Sequence, residues 1–523
     1  MTVRVSGGAH TRMTVLTNSR GDLVGHRPAG GSVARLAALL ALAGWLASCA
    51  SATAPTPALA PQTDVSAYRA ARAQMIAAEQ AMRLGAQLVL TDAEHAAALR
   101  LARLKSEELA RTRTAFAPAQ SFFEDRTKRL YEASEVFGVL RRMPKGAVLH
   151  AHFTAMGDYR WVAERVLASP HAQMFVGHDP QIPRGALRLS TDPVAGDWRQ
   201  LSALRAAAPD QHVFDEEVFR SITLGEEDRT VPDIWEEFAA IFGRTRGLFA
   251  DPTFTAAFFD QLVATLVRDN VQYLELRSNA LDESWIEKAR RHDPSFDVKF
   301  IPASGRSVRR DQAARFLDNV VEQRVSRPDR VKGFDLVQEE DRGNTNLFYL
   351  DEILNAQIEA RRRGTELPAY LHSGESNWAE NDNLYDAVLL GTRRIGHALA
   401  LIRHPLLLRE VKARDIAIEV CPISNQLLGF VADLRTHPAA HYINDNIPIV
   451  LSSDDPGIFQ STLTHDFYAA YMAWDLDLKA LKQLAMNSLH YSTMTPQERE
   501  RSLTVWQERW ASFIAWINAT YPA

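Results

Sequence analysis

The sequence predicts an α/β fold, a (β/α)8 barrel of the TIM type with a helical extension ahead of its first strand and an insertion behind it. Three observations carry this expectation. From Lys145 onward, eight short apolar runs alternate with helical stretches, the pattern of parallel strands joined by crossover helices. Histidine and acidic residues stand at the C-terminal ends of four of those runs, where barrels of this type build their active sites. The 523 residues leave room for a barrel of about 250 residues and further elements besides.

Taken in order, the chain opens on a segment outside the fold. Leu36 to Leu46 form an apolar run of eleven residues behind Arg35, too short for a bilayer and suited to a signal peptide. Leu46-Ala47-Ser48-Cys49 follows and resembles a bacterial lipobox. Residues 1–48 therefore read as a lipoprotein-type signal and Cys49 as the lipidated residue, which makes the protein an exported lipoprotein, periplasmic or on the cell surface, touching the membrane only through its lipid. The stretch before Arg35 is long for such a signal, so translation could start at a later methionine such as Met13. Residues 49–64, rich in small residues with Pro55, Pro57 and Pro61, read as a flexible tether.

Residues 65–137 have a helical pattern. Thr91 with Glu94, and Ser121 with Glu124, have capping-box spacing; the Ala-rich stretch between them reads as a helix ended by Pro118. The barrel occupies 138–523, with apolar runs at 147–150, 271–276, 298–302, 331–336, 369–372, 394–397, 417–420 and 448–452, and an insertion at about 163–230. At 46% hydrophobic and 24% charged, the composition is that of a globular protein. A net charge of −5 gives no basic face for a nucleic acid. The chain has two cysteines, Cys49 and Cys421, so a lipidated Cys49 leaves no intramolecular disulfide.

The chemistry-bearing residues cluster at run ends. In a strand, residues two apart share a side, so His150 and His152 can reach one ion. His372 closes the fifth run with Glu375 three residues on; His397 closes the sixth; Asp454 and Asp455 follow the eighth. Three nitrogen donors and one carboxylate suit zinc, one ion per chain held by His150, His152, His372 and Asp454. A water at the open position would have its pKa lowered towards about 7. Glu375 is placed to donate a proton, His397 to orient or deprotonate the water, and Asp455 to bind water or substrate. Cys421 reads as a buried thiol, His404, His437, His441 and His465 lack a ligand context, and Trp506, Trp510 and Trp516 read as helix core faces.

These residues lie in motifs that resemble the adenosine deaminase family, and within it the secreted, growth-factor-like branch of type 2. The matching segments are MPKGAVLHAHF (143–153), GFDLVQEEDR (333–342), LHSGESN (371–377), RIGHALALI (394–402), EVCPISNQLLG (419–429) and LSSDDPG (451–457), joined by 82–106 and 235–248. The resemblance implies one zinc and hydrolytic deamination of adenosine, and of 2′-deoxyadenosine, by water addition at purine C6 with loss of ammonia. It implies that Glu375 protonates N1, His397 stands by the water, Asp455 meets N7, Trp235 lies near the substrate, and the helices over 66–135 hold a homodimer.

Three features depart from the family pattern. Phe153 and Thr154 stand where an acidic residue often meets the ribose 5′-hydroxyl, leaving Thr154 as the expected contact. Gln338 replaces a glycine whose backbone N–H meets N3, and Ala398 replaces a glycine after the sixth-strand histidine. Gln338 and Thr154 keep open a related barrel amidohydrolase acting on another 6-aminopurine or a cyclic amide. A binding or signalling protein without catalysis is the other alternative, opposed by the intact set of seven polar residues.

Overall fold

The protein is described by a computed structural model covering residues 64–112, 116–178, 185–376 and 381–522. The expected signal, tether and Cys49 lie outside these residues. Two compact units are distinguished, 1–72 and 73–523; the described part of the first is the start of a helix, Val65–Met82, which buries none of its residues. No described helix is long and apolar enough to cross a membrane.

In the second unit, strand β1 (Gly146–Val148) leads into the insertion, a small antiparallel sheet of β2 (Ala172–Phe175), β3 (Leu187–Leu189) and β4 (Trp198–Gln200) with helices Leu201–Ala207 and Gln211–Ser221 behind it. The other strands are β5 (Val271–Leu276), β6 (Asp297–Phe300), β7 (Ala303–Gly305), β8 (Asp335–Val337), β9 (His372–Ser373), β10 (Arg394–His397), β11 (Ala417–Val420) and β12 (Ile449–Leu451). They form a ring. Parallel pairing runs from β1 to β5 and β6, from β7 to β8, and from β9 through β10 and β11 to β12. Single parallel bridges complete it: Phe300 to Val331, Phe334 to Ala369, and Ala151 to Asp454. The last joins the first strand to the eighth. All eight expected runs take part; the third is broken into β6 and β7 around Ile301-Pro302, because proline has no N–H for the ladder.

Burial on both faces explains why these strands read as apolar runs rather than alternating ones: every residue of β5, β10, β11 and β12 is buried. Charged residues inside them, Glu275, Arg394 and Glu419, are buried too.

The N-terminal helix Asp92–Arg111 is built into this body. Thr91 and Glu94 cap helix Asp92–Arg111 reciprocally, and Glu94 also accepts from Trp510 Nε1 at 2.7 Å and Lys482 Nζ at 2.6 Å. This ties the helix to the C-terminal helix Pro496–Thr520, where Trp506 and Trp510 are buried as expected. Ser121 is no helix cap. The helix that follows starts at Asp125, and Phe122 and Phe123 are buried instead, the Phe122 N–H donating to Gln426 Oε1 at 2.9 Å. Core demand for two aromatic rings overrides the local capping pattern. Pro118 lies in a separate 3-10 turn, Ala117–Ala119, beyond the helix end at Arg111.

Candidate active site

The ring brings four strand ends together. One ligand atom from each of His150, His152, His372 and Asp454 lies within 4.8 Å of all the others. His150 Nε2 stands 3.0 Å from His372 Nε2 and 3.2 Å from Asp454 Oδ1; His152 Nε2 is 3.2 Å from that same oxygen. His150 packs against Gly396, where a Cβ would come within 3.0 Å of its ring.

The far sides of two of these rings are fixed. His150 Nδ1 meets Glu419 Oε2 at 2.6 Å, and His372 Nδ1 meets Asp335 Oδ2 at 2.7 Å. A carboxylate accepts, so each Nδ1 carries the proton and each Nε2 offers a lone pair. Burial pushes the His372 imidazole down to about 4, which keeps it neutral. Two lone pairs 3.0 Å apart repel, and Asp454 Oδ1 has no hydrogen-bond donor. A cation between them resolves both problems.

The charges beneath agree. Arg277 spans Asp335 (3.2 Å) and Glu419 (2.7 Å), and Arg394 spans Glu419 (2.6 Å) and Glu275 (2.5 Å), all buried. Burial would raise the Glu419 carboxyl, but Arg277, Arg394 and His150 outweigh it and hold it well below the carboxylate range; His372 and Arg277 likewise hold Asp335 low against burial. Two cations against Glu275, Glu419, Asp335 and Asp454 leave a deficit that one divalent ion fills. Removing one partner of such a network leaves uncompensated buried charge. Arg277→Met is therefore expected to cost about 3–5 kcal/mol of stability, read by urea unfolding of the folded variant; a loss below about 1 kcal/mol would show that the network does not depend on it.

Glu375 sits above the cluster. The Glu340 carboxylate aims it, accepting from the backbone N–H groups of Gly374 (3.1 Å) and Glu375 (2.7 Å) and from the Asn381 and Asn383 amides. Burial, then the neighbouring Asp454, Glu340 and Asp455, hold the Glu375 carboxyl well above its ordinary range. Burial and Asp454 do the same for Asp455, whereas the surrounding imidazoles of His150, His152 and His397 keep Asp454 itself low despite its burial. Glu375 is thus an acid held ready to donate. His397 Nε2 stands 3.6 Å from Glu375 Oε1 and 3.9 Å from Asp454 Oδ2, without a hydrogen bond.

A cavity of about 720 Å³ opens over these groups, with His152, His372, Glu375, Asp454 and Asp455 in its wall. Gln338 lines it from the end of β8 at φ +85°. Helix Ile234–Phe249 covers it with Trp235 and Phe238, and the Trp235 Nε1 donor is buried without a partner. Thr154 is not part of this wall. A 3-10 turn, Phe153–Ala155, takes the chain off the barrel rim; Phe153 packs on Phe258 and Trp285, and the Thr154 carbonyl accepts from the Tyr159 hydroxyl. Contrary to expectation, Thr154 does not line the cavity. Sequence reasoning missed Asp335, Glu419, Arg277, Arg394 and Glu340; Asp335, Arg394 and Glu419 are charges inside otherwise apolar runs, whereas Arg277 and Glu340 lie just beyond them.

An eight-stranded barrel with an imidazole–carboxylate cluster at its strand ends is the framework of a metal-dependent hydrolase. Comparison with known proteins narrows that class. The adenosine deaminase family model matches residues 287–505, and the adenosine/AMP deaminase N-terminal model matches 48–140. Adenosine deaminase 2 of Pongo abelii is 34% identical over 484 residues, covering 85% of this chain and 93% of that protein. An adenosine deaminase of Phlebotomus duboscqi is 35% identical, covering 79% and 84%. Among solved structures, a zinc-bound amidohydrolase from Burkholderia ambifaria superposes with a TM-score of 0.54 at 16% identity, covering 73% of this chain and 95% of its own. Arabidopsis ADAL complexed with IMP gives 0.52 at 16%, covering 72% and 99%. The chain belongs to the adenosine deaminase family, in its adenosine deaminase 2 branch, and is a hydrolase of that type.

Proposed function

We propose that this protein hydrolyses adenosine to inosine and ammonia, and 2′-deoxyadenosine likewise, with one zinc ion per chain. The observation that carries this reading is a buried carboxyl, Glu375, whose surroundings raise its pKa, beside a four-ligand cluster in the wall of one cavity. Three imidazoles and one carboxylate suit zinc; when bound, the ion supplies the Lewis acidity that makes water nucleophilic at neutral pH. This chain's own residues do the rest. Glu375 delivers a proton to ring nitrogen N1, Asp455 meets N7, the Gln338 backbone N–H faces the opposite edge, and Phe238 and Trp235 keep bulk water from the ring.

The test is the ultraviolet difference spectrum of purified protein with adenosine and 2′-deoxyadenosine, alongside ammonia release from other 6-aminopurines and cyclic amides. Conversion of adenosine is expected; turnover confined to another amine would favour the second reading, a deaminase of a different 6-aminopurine, which the side chain of Gln338 in the wall supports.

With Thr154 outside the cavity, Trp235 Nε1 is the free donor for the sugar. Trp235→Phe is expected to raise KM about two- to tenfold with kcat nearly unchanged, the effect of one neutral hydrogen bond made equally in ground and transition states. A fall in kcat alone would assign Trp235 a different part.

Export as a lipoprotein anchored through Cys49, and a homodimer, belong to the same proposal. The dimer rests on helix Val65–Met82, which buries nothing and exposes Val65, Tyr68, Met75 and Met82. A chain starting after Met82 is expected to be monomeric by light scattering while keeping the buried helix Asp92–Arg111; a dimer of that chain would place the interface elsewhere.

A further inference from the structure

Behind His397, away from the cavity, lie Asn425 and His437. His437 is buried and packs on Trp474, with ring centroids 5.2 Å apart. Its Nδ1 accepts the Ala439 backbone N–H at 3.0 Å. That nitrogen therefore has no proton of its own. Burial pushes the His437 ring down to about 3, so it is neutral and its single proton is on Nε2. Nε2 meets Asn425 Oδ1 at 3.0 Å and must donate to it. This settles which way the Asn425 amide points. Its Nδ2 then faces His397 Nδ1 at 3.2 Å and donates in turn. His397 Nδ1 is consequently an acceptor, so the ring proton sits on Nε2, the atom that faces Glu375 and Asp454 with no hydrogen-bond partner.

We propose that the chain Ala439 N–H, His437, Asn425, His397 is a tautomer relay, in which His437 and Asn425 are positioning residues that present His397 to the substrate as a hydrogen-bond donor. The direction of every bond follows from the first, because a backbone N–H cannot reverse. A ring nitrogen that already carries a proton has no lone pair to take another. His397 therefore holds the attacking oxygen as a donor. Every member of the relay is buried, which removes competing water and makes each bond stronger than at a surface. His437 is forty residues from His397 in sequence, and only the packing of the turn at 434–439 against Asn425 shows the link.

The inference rests on the deaminase reading for its kinetic arm, so it is tested in two ways on the zinc-loaded full chain. Nitrogen-15 spectra of histidine-labelled protein, with the His397 signals identified by their loss in His397→Asn, report the tautomer without substrate. A protonated Nε2 and bare Nδ1 are expected; the reverse overturns the relay even if adenosine is turned over. In the kinetic arm, Asn425→Asp replaces the amide by an acceptor for both rings and pulls the His397 proton to Nδ1. Losing one donor aimed at a developing charge costs about 10²–10³ in kcat, so a drop of that order with KM and zinc content near the parent values is expected. His437→Phe keeps ring volume but frees the amide to turn, and should lower kcat; His437→Gln can still donate to Asn425 Oδ1 and should restore most of it. Parent-like kcat in Asn425→Asp or His437→Phe, or no rescue by His437→Gln in a folded protein, overturns the proposal. Failure of the parent to deaminate any purine would instead count against the proposed function and leave the spectroscopic arm standing.

Discussion

Glu375→Gln is expected to retain fold and bound zinc and to lose most of its turnover. Glutamine has nearly the volume of glutamic acid, so the buried site keeps its packing, and the backbone N–H of residue 375 still donates to Glu340. What disappears is a transferable proton. The amide can hydrogen-bond to the ring but cannot protonate it, and general acid catalysis contributes about 10²–10⁴-fold. The loss should fall on kcat and kcat/KM together, the mark of an interaction made only in the transition state. Because burial and then Asp454, Glu340 and Asp455 raise the pKa of Glu375, the acid form persists to higher pH than in a free carboxyl and is lost as pH rises through that pKa. Parent activity should decline on the alkaline side, and the residual activity of the variant should lack that limb. A loss of less than about tenfold would remove Glu375 from the role of acid.

The second large effect concerns the metal. His152→Ala is expected to abolish stoichiometric zinc, and turnover with it. His152 suits this test better than the other imidazoles. Truncating His150 or His372 would also strip Glu419 or Asp335 of a buried partner and threaten the fold, at about 3–5 kcal/mol each. His152 pairs with Asp454 and with no carboxylate behind it, and it is 17% exposed. Its loss leaves two nitrogens and one oxygen in a site shaped for one nitrogen more, which should weaken binding enough for the ion to be lost on gel filtration. Elemental analysis after gel filtration measures the result; one zinc per chain in a folded variant would show that His152 is no ligand.

The strands and the residues at their ends were legible because one physical rule governs both. A strand buried on two faces is mostly apolar, so a histidine or aspartate at its end stands out, and four of the eight ends carry one. The supporting groups were not legible. Nothing local distinguishes Glu419 within a strand from a register error, or Asp335 from a loop residue; their meaning lies in Arg277, Arg394 and the two imidazoles, all distant in sequence. His437 shows the same limit: in sequence it has no ligand context, and in space it sits behind His397. Thr154 failed for the opposite reason. Its position after the histidine pair suggested a substrate contact, but the aromatic ring of Phe153 demands burial, and the turn that provides it carries Thr154 away from the cavity wall. Ser121 failed likewise, its capping pattern overruled by Phe122 and Phe123.

The bridge between Ala151 and Asp454 is where the barrel closes on itself, and three of the four metal-facing residues straddle that seam. His150 and His152 belong to the first barrel strand and Asp454 to the last, with roughly 300 residues between them, so an ion held there acts as a cross-link across a very long loop. No shorter stretch of the chain carries the whole set, so the ion can be captured only after the final strand has docked. A contact that forms so late is absent from the folding transition state; strengthening it slows unfolding and barely touches the rate of folding. Metal occupancy should therefore set how long the folded protein lasts under thermal or proteolytic stress more than how fast it forms, and a chelated sample should unravel from the seam between its first and last strands.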